Sequence, residues 1–144
     1  MRRIVQNKSR LKPAFLGWNM IIGIGTDIIE IDRVKKAIKQ PRFLERVYTK
    51  GERDYCDSRG MQAAASYAAR FAGKEAVLKA FGTGLREGTL LDIEILPDEL
   101  GCPLVNLSGH YSKLASEKAV ARVHLSLSHA REYATAQCVL EGQE

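Results

Sequence analysis

The sequence predicts an α+β domain with a mostly antiparallel sheet and a long central helix. A chain of 144 residues is long enough to bury a core without disulfide bonds or a structural metal. Its middle holds an alanine-rich stretch of helical period, and its C-terminal part has the pattern of two antiparallel strands joined by a turn. The helical segments lie between the first and second predicted strands, instead of alternating with strands, which favours α+β over α/β.

The first predicted strand covers Met20–Asp27. It is apolar and contains Gly23 and Gly25, which allow another backbone or a ligand to come close. A dinucleotide-binding fingerprint would need a third glycine at the position of Ile28, so the sequence excludes that motif.

Helical patterns follow this strand. Apolar residues recur at helical spacing over Ile31–Val47, where Pro41 must begin a new helix or kink the first one. Thr49 begins a capping-box pattern that predicts a short helix through about Cys56. The long helix is predicted over Met61–Phe81 and should end at Gly82, since glycine commonly occupies the position after a helix.

Four strands and one more helix are expected after the long helix. The predicted order is strand, turn, strand, helix and a final antiparallel pair: Leu90–Leu96, Pro97–Gly101, Leu104–Leu107, Tyr111–Lys118, Ala121–Ser128 and Tyr133–Leu140. In the first strand of the pair, a period of two places Val123 and its alternate neighbours on one face and small polar residues on the other. That polar face fits contact with solvent, phosphate oxygens or another subunit.

The positive charge is confined to the N-terminus. The net charge is +5, and residues 1–19 contain five of the 22 basic residues and no acid, so the other 17 basic residues balance 17 acidic ones. We therefore expect a basic flexible arm over residues 1–19 and a single domain over residues 20–144. The neutral domain argues against a nucleic-acid-binding core.

Two further observations bear on the environment of the protein. No apolar run approaches the roughly 20 residues that cross a bilayer, so no membrane association is expected. Cys56, Cys102 and Cys138 are odd in number and show no CxxC spacing, which argues against a disulfide framework or a structural zinc site. Both observations predict a cytoplasmic protein.

The long helix carries an unusual group of charges. Arg70 and Lys74 lie one turn apart, and so do Glu75 and Lys79. A carboxylate flanked by three cations suits a site that holds a metal ion and a polyphosphate together. The same spacing also fits a solvent-exposed helix with salt bridges between successive turns.

Three segments together resemble one family. Ile22–Glu30, Arg70–Gly84 and His124–His129 with the following Tyr133 resemble the opening strand, central helix and terminal hairpin of holo-[acyl-carrier-protein] synthase, in unbroken order from Met20 to about Glu141. The resemblance implies the 4'-phosphopantetheinyl transferase fold and magnesium-dependent transfer of 4'-phosphopantetheine from coenzyme A to a serine of apo-acyl carrier protein, leaving 3',5'-ADP. It also implies a homotrimer with active sites at subunit interfaces.

The resemblance assigns expected roles to particular residues. Asp27 and Glu75 match the metal ligands, and Glu75 and Lys79 the catalytic residues. Lys79 would contact the leaving phosphate, and Glu75, or else Asp27, would accept the serine proton. Seven residues are expected to bind coenzyme A: Arg70, Lys74, Gly82, His124, Ser126, Ser128 and His129. Four are expected to dock the acidic carrier protein: Arg33, Arg42, Phe43 and Arg46.

Simpler explanations exist for the same residues. Asp27 would equally suit the turn after a strand or the N-cap of a helix, and Glu75 could pair with Lys79. A non-catalytic carrier-protein-binding module of the same fold is the alternative function. A nucleic-acid-binding role of the basic arm is a third hypothesis, which deletion of residues 1–19 would test.

Overall fold

A three-stranded antiparallel sheet and a long helix packed across it form the main body of the molecule. The computed structural model describes residues 19–143. The strands of this sheet are β1 (Asn19–Glu30), β4 (Val120–His129) and β5 (Tyr133–Gln143), in the order β1-β5-β4. The last strand of the chain therefore lies in the centre of the sheet, between the first strand and the fourth.

The other two strands form a separate hairpin of β2 (Ile93–Pro97) and β3 (Pro103–Leu107). All five predicted strands are present, but the expectation of a single sheet is wrong. Side chains occupy the free edge of β2: the Glu52 carboxylate accepts from the Ile95 amide at 3.0 Å, and Arg70 Nε donates to the Ile95 carbonyl at 3.1 Å. Strand β2 also begins later than predicted, because Leu90–Asp92 forms a 3-10 turn.

Within residues 19–143, five α-helices complete the fold: α1 (Ile31–Ala37), α2 (Pro41–Val47), α3 (Lys50–Asp57), α4 (Ala63–Phe81) and α5 (Gly109–Glu117). Pro41 begins a new helix instead of kinking the first one. The capping box at Thr49 is confirmed in both directions, since Thr49 Oγ1 accepts from the Glu52 amide and the Glu52 carboxylate accepts from the Thr49 amide. Gly82 ends α4 with a φ of 77°, as predicted.

Helix α4 lies unusually close to strand β1. A Cβ atom on Gly23 would lie 2.0 Å from the carbonyl oxygen of Ala80, and one on Gly25 would lie 1.9 Å from that of Ala76. Only glycine permits this approach, since real Cβ contacts are not this short. The two backbones therefore hold each other at a fixed distance, which sets the spacing of any side chains that meet between them.

The predicted basic arm lies outside the described residues, except for Asn19, which begins β1. Within residues 19–143, no helix has both the length and the hydropathy that a membrane crossing requires.

Candidate active site

Asp27 and Lys79 connect the end of β1 to α4. Asp27 pairs with the buried Ala136 across the sheet, on the face that α4 covers. Lys79 Nζ donates to Asp27 Oδ1 at 3.0 Å and to the Thr26 carbonyl at 3.0 Å. Asp27 is not a helix cap, because the N-cap of α1 is Glu30. The structure thus brings together two residues that are 52 positions apart in the chain.

Glu75 lies one turn before Lys79 and faces the same junction. Burial raises the pKa of its carboxyl, the negative charge of Asp27 raises it further, and the Lys79 ammonium partly opposes both effects. Two carboxylates that repel each other in a partly buried place are stabilised when a cation binds between them. The donor set therefore suits magnesium, which needs few carboxylates when waters and phosphate oxygens supply the remaining ligands.

The two carboxylates open into a cleft of about 300 Å³. The cleft runs between the end of β1, α1 and α4, and its wall includes Arg33, Phe71 and Tyr133. Arg33 was expected at a carrier-docking surface, and it lies beside the candidate metal site as well. Phe71 and Tyr133 were not predicted as site residues. Both lie in segments that carry the family resemblance, but neither was given a role, since Tyr133 reaches the cleft only through its pairing with Glu30 in β1.

The polar face of β4 lies on the other side of the sheet. The predicted alternation is confirmed, because Val123 is buried while His124, Ser126 and Ser128 are exposed. His129 is exposed at the end of the strand. Within one chain His124, Ser126 and Ser128 therefore do not join the face that carries Asp27 and Glu75, whereas His129, which pairs with the buried Ala134, lies at the end of β4 on that face.

His124 already has a partner within the chain. Its Nε2 lies 2.6 Å from Glu141 Oε2 on the neighbouring strand β5. This contact fixes the ring on the exposed face of the sheet, in the middle of β4.

The expectation that Arg70 and Lys74 face coenzyme A phosphates conflicts with their positions. Arg70 is only 5% exposed, and its guanidinium lies 4.3 Å from the centre of the Tyr55 ring. Lys74 is completely buried and its ammonium contacts Glu52 at 2.7 Å. Both side chains leave α4 toward α3 and β2, away from the cleft. They are buried because α4 is covered on nearly all sides.

The remaining predicted residues lie on the surface of α1 and α2. Arg33, Arg42 and Arg46 are exposed, whereas Phe43 is half-buried. The Phe43 ring stacks on Phe71 with centroids 6.2 Å apart, so it links this basic surface to the wall of the cleft. Gly82, expected near coenzyme A, is accounted for by its left-handed conformation at the end of α4.

Comparison with known proteins agrees with this architecture. The model of the 4'-phosphopantetheinyl transferase superfamily matches residues 23–138. A Clostridium novyi (strain NT) protein named holo-[acyl-carrier-protein] synthase is 50% identical over 85% of this chain and 88% of its own length. A protein of the same name from Fusobacterium nucleatum subsp. nucleatum is 46% identical over 84% of this chain and 99% of its own.

Solved structures give the same result. The holo-(acyl-carrier-protein) synthase of Bacillus anthracis str. Ames, in complex with CoA (3',5'-ADP), is 42% identical with a TM-score of 0.72, covering 85% of this chain and 98% of that one. The synthase of Neisseria meningitidis is 36% identical with a TM-score of 0.77 over 84% of this chain and 98% of its own. The chain described here belongs to the 4'-phosphopantetheinyl transferase superfamily.

Proposed function

We propose that this protein is a holo-[acyl-carrier-protein] synthase, which transfers 4'-phosphopantetheine from coenzyme A to a serine of apo-acyl carrier protein. The observation that carries the proposal is the convergence of Asp27, Glu75 and Lys79 at the junction of β1 and α4, in a chain 50% identical to a protein of that name. The bound CoA (3',5'-ADP) in the Bacillus anthracis relative supports coenzyme A as the donor.

The roles of the three residues follow from phosphoryl-transfer chemistry. Asp27 and Glu75 would hold magnesium, which would neutralise charge on the pyrophosphate of coenzyme A. Glu75, directly or through a water, accepts the proton of the serine hydroxyl as its oxygen bonds to the phosphorus that carries pantetheine. The bond from that phosphorus to the bridging oxygen breaks, and 3',5'-ADP leaves. Lys79 stabilises the negative charge of the departing phosphate.

The decisive experiment is mass spectrometry of purified apo-acyl carrier protein after incubation with this protein, coenzyme A and magnesium. We expect a mass gain of one phosphopantetheine, which disappears with a chelator and in the variants Asp27→Ala and Glu75→Ala. Glu87→Ala is the matched control, since the Glu87 side chain is 80% exposed on a loop. Binding of the carrier protein without a mass gain would favour the alternative, a non-catalytic binding module.

We also propose that the protein assembles as a homotrimer through the open face of its three-stranded sheet. Ile24 and Ile28 on this face are 70% and 63% exposed, which is unusual for isoleucine. A closed ring of three chains would bring His129, Ser126 and Ser128 of one chain toward the cleft of the next, where they could contact coenzyme A.

Analytical ultracentrifugation tests the assembly. We expect a trimer for the natural chain and smaller species for Ile24→Lys, because a charge would be buried at the contact. Leu100→Lys is the matched control, since Leu100 is 88% exposed on the hairpin of β2 and β3. A monomeric natural chain, or an Ile24→Lys variant that remains trimeric, would contradict this surface.

The exposed arginines of α1 and α2 are proposed to dock the carrier protein, which is acidic. Opposite charges at such a contact chiefly raise the association rate and are screened by salt. Arg42→Glu should raise the Michaelis constant for carrier protein and leave that for coenzyme A unchanged. Lys113→Glu, on the exposed side of α5, is the control for net charge. Equal changes for both substrates would contradict the assignment.

Two broader assignments complete the proposal. Residues 20–144 form the transferase domain, and residues 1–19 form a basic arm whose deletion should leave transfer intact. We place the protein in the cytoplasm, where free cysteines such as Cys56, Cys102 and Cys138 remain reduced.

A further inference from the structure

A fully buried ion pair lies next to the candidate active site and contributes nothing to the chemistry described above. Lys74 Nζ contacts Glu52 Oε1 at 2.7 Å, the Val47 carbonyl at 2.6 Å and the Leu90 carbonyl at 2.9 Å. Both charged side chains are 0% exposed. An ammonium has three N–H donors, and each of them has a partner here. Lys74 therefore cannot contact a ligand without losing bonds inside the protein.

The carboxylate of this pair is equally well bonded. Glu52 Oε1 also accepts from the Thr49 amide at 2.9 Å, and Oε2 accepts from the Ile95 amide at 3.0 Å. The pair thus joins the end of α2, the start of α3, the middle of α4, the turn before β2 and β2 itself. Five separate segments share one buried polar contact.

Stability alone is a weak reason for such a pair. Removing two charges from water is costly, and apolar residues of similar volume often give an equal or greater stability. What an ion pair adds is direction, because its hydrogen bonds fix the angle and distance of the groups that they join. The question is therefore which parts of the molecule need to be held in a fixed relation.

The position of the pair answers this question. Lys74 is adjacent to Glu75 on α4, and successive helical residues point about 100° apart. The side of α4 that carries Glu75 faces β1, while Lys74 faces Val47, the last residue of α2. Helix α2 carries Arg42 and Arg46 on its exposed surface. The Lys74 ammonium satisfies the Val47 carbonyl, one of the carbonyls that a helix end leaves without an internal partner.

We propose that the Glu52–Lys74 pair is a positioning element, which holds the carrier-docking helix α2 in register with the Asp27–Glu75 carboxylates. This inference rests on the proposed function. It does not make Lys74 a catalytic residue, since its side chain reaches neither the cleft nor any substrate. Glu75 itself stays in place without the pair, because the close contact of α4 with Gly23 and Gly25 holds it against β1.

The test uses the variant Lys74→Met together with the double variant Glu52→Gln/Lys74→Met, which leaves no unpaired charge in the interior. For the folded variants, we expect the Michaelis constant for carrier protein to rise and kcat to fall, so that kcat/KM for carrier protein drops by about tenfold or more. The Michaelis constant for coenzyme A should stay within about twofold, because its proposed contacts with Asp27, Glu75 and Lys79 lie where α4 is held against β1, whether or not the pair is present. Lys50→Met is the control, because the Lys50 side chain is 82% exposed on α3.

Hydrogen–deuterium exchange provides a readout that does not depend on activity. Amides of residues 41–47 should exchange faster in the double variant, while those of α4 around Glu75 should exchange as in the natural protein. If the pair only stabilises the fold, the variants contain a smaller fraction of folded, active protein. Both Michaelis constants, and the exchange rates of α2 amides relative to α4 amides, then stay unchanged, and that result would overturn the inference. A natural protein that transfers nothing would instead refute the proposed function, so the two failures are distinct.

Discussion

The close contact between α4 and β1 makes Gly25→Ala the most informative single substitution in this chain. The new Cβ would lie 1.9 Å from the Ala76 carbonyl oxygen and 2.7 Å from the Ala80 amide nitrogen. Both obstructing atoms belong to the backbone of α4, so no side chain can rotate away, and the oxygen contact must open to at least 3.0 Å. Overpacking typically costs about 1–3 kcal/mol when side chains can yield. For Gly25→Ala we expect the free energy of unfolding to fall by about 3 kcal/mol or more.

Thermal unfolding followed by circular dichroism measures this effect. For a chain of this size, the expected loss corresponds to a Tm lower by roughly 6–12 °C. Transfer activity below the unfolding range should also fall, because Gly25 and Ala76 adjoin the two candidate metal ligands, whose spacing changes when the backbones separate.

The matched control is Gly51→Ala. A Cβ there would meet the nearest atom at an ordinary 3.4 Å, the end of the Glu94 side chain. Since alanine is favoured over glycine within helices such as α3, this variant should be unchanged or slightly more stable. If Gly25→Ala unfolds within about 1 °C of the natural protein, a change too small for the expected destabilisation, the argument from backbone contact is refuted.

Two further predictions concern titratable groups. Because burial and a nearby carboxylate raise the pKa of Glu75, its charged form lowers stability above the ordinary carboxyl pKa. Glu75→Gln should therefore raise the Tm near neutral pH in the presence of a chelator. The gain should vanish in acid, because the natural side chain becomes protonated there. A lower Tm of the variant near neutral pH would contradict this reasoning. Burial raises the pKa of Cys56 and of Cys138 to about 12. Maleimide should thus modify only the exposed Cys102 in the folded protein and all three thiols after unfolding, and a second adduct before unfolding would count against the described core.

Local signals in the sequence predicted much of the fold. The capping box at Thr49 and the glycine after α4 each depend on a few neighbouring residues, and both are confirmed. For Pro41 the sequence left open a new helix or a kink, and the structure shows a new helix. The division into two sheets could not be predicted in this way. It depends on Glu52 and Arg70, which bond to the edge of β2 from positions 43 and 25 residues away in the chain.

The candidate site shows the same contrast between what local sequence patterns predict and what distant contacts decide. The resemblance identified Asp27, Glu75 and Lys79, and the structure brings them to one junction. The expectation for Lys74 failed for a physical reason. A charge spacing of four residues is the same on an exposed helix and on one buried nearly all round, so the pattern does not reveal which partner the charge meets.

The central place of the last strand has a consequence for how the chain folds. Strand β5 spans Tyr133–Gln143 and pairs with both β1 and β4, so during synthesis the sheet cannot form until these residues have left the ribosome. Contacts such as that between Thr26 and Ala136 close a loop of 110 residues, and contacts that distant slow the folding of a domain. Until then the first strand, with its exposed isoleucines, has no partner for its backbone. A chain cut before Tyr133 would lack the centre of its sheet, which makes β5 as essential to folding as the residues of the cleft are to the chemistry.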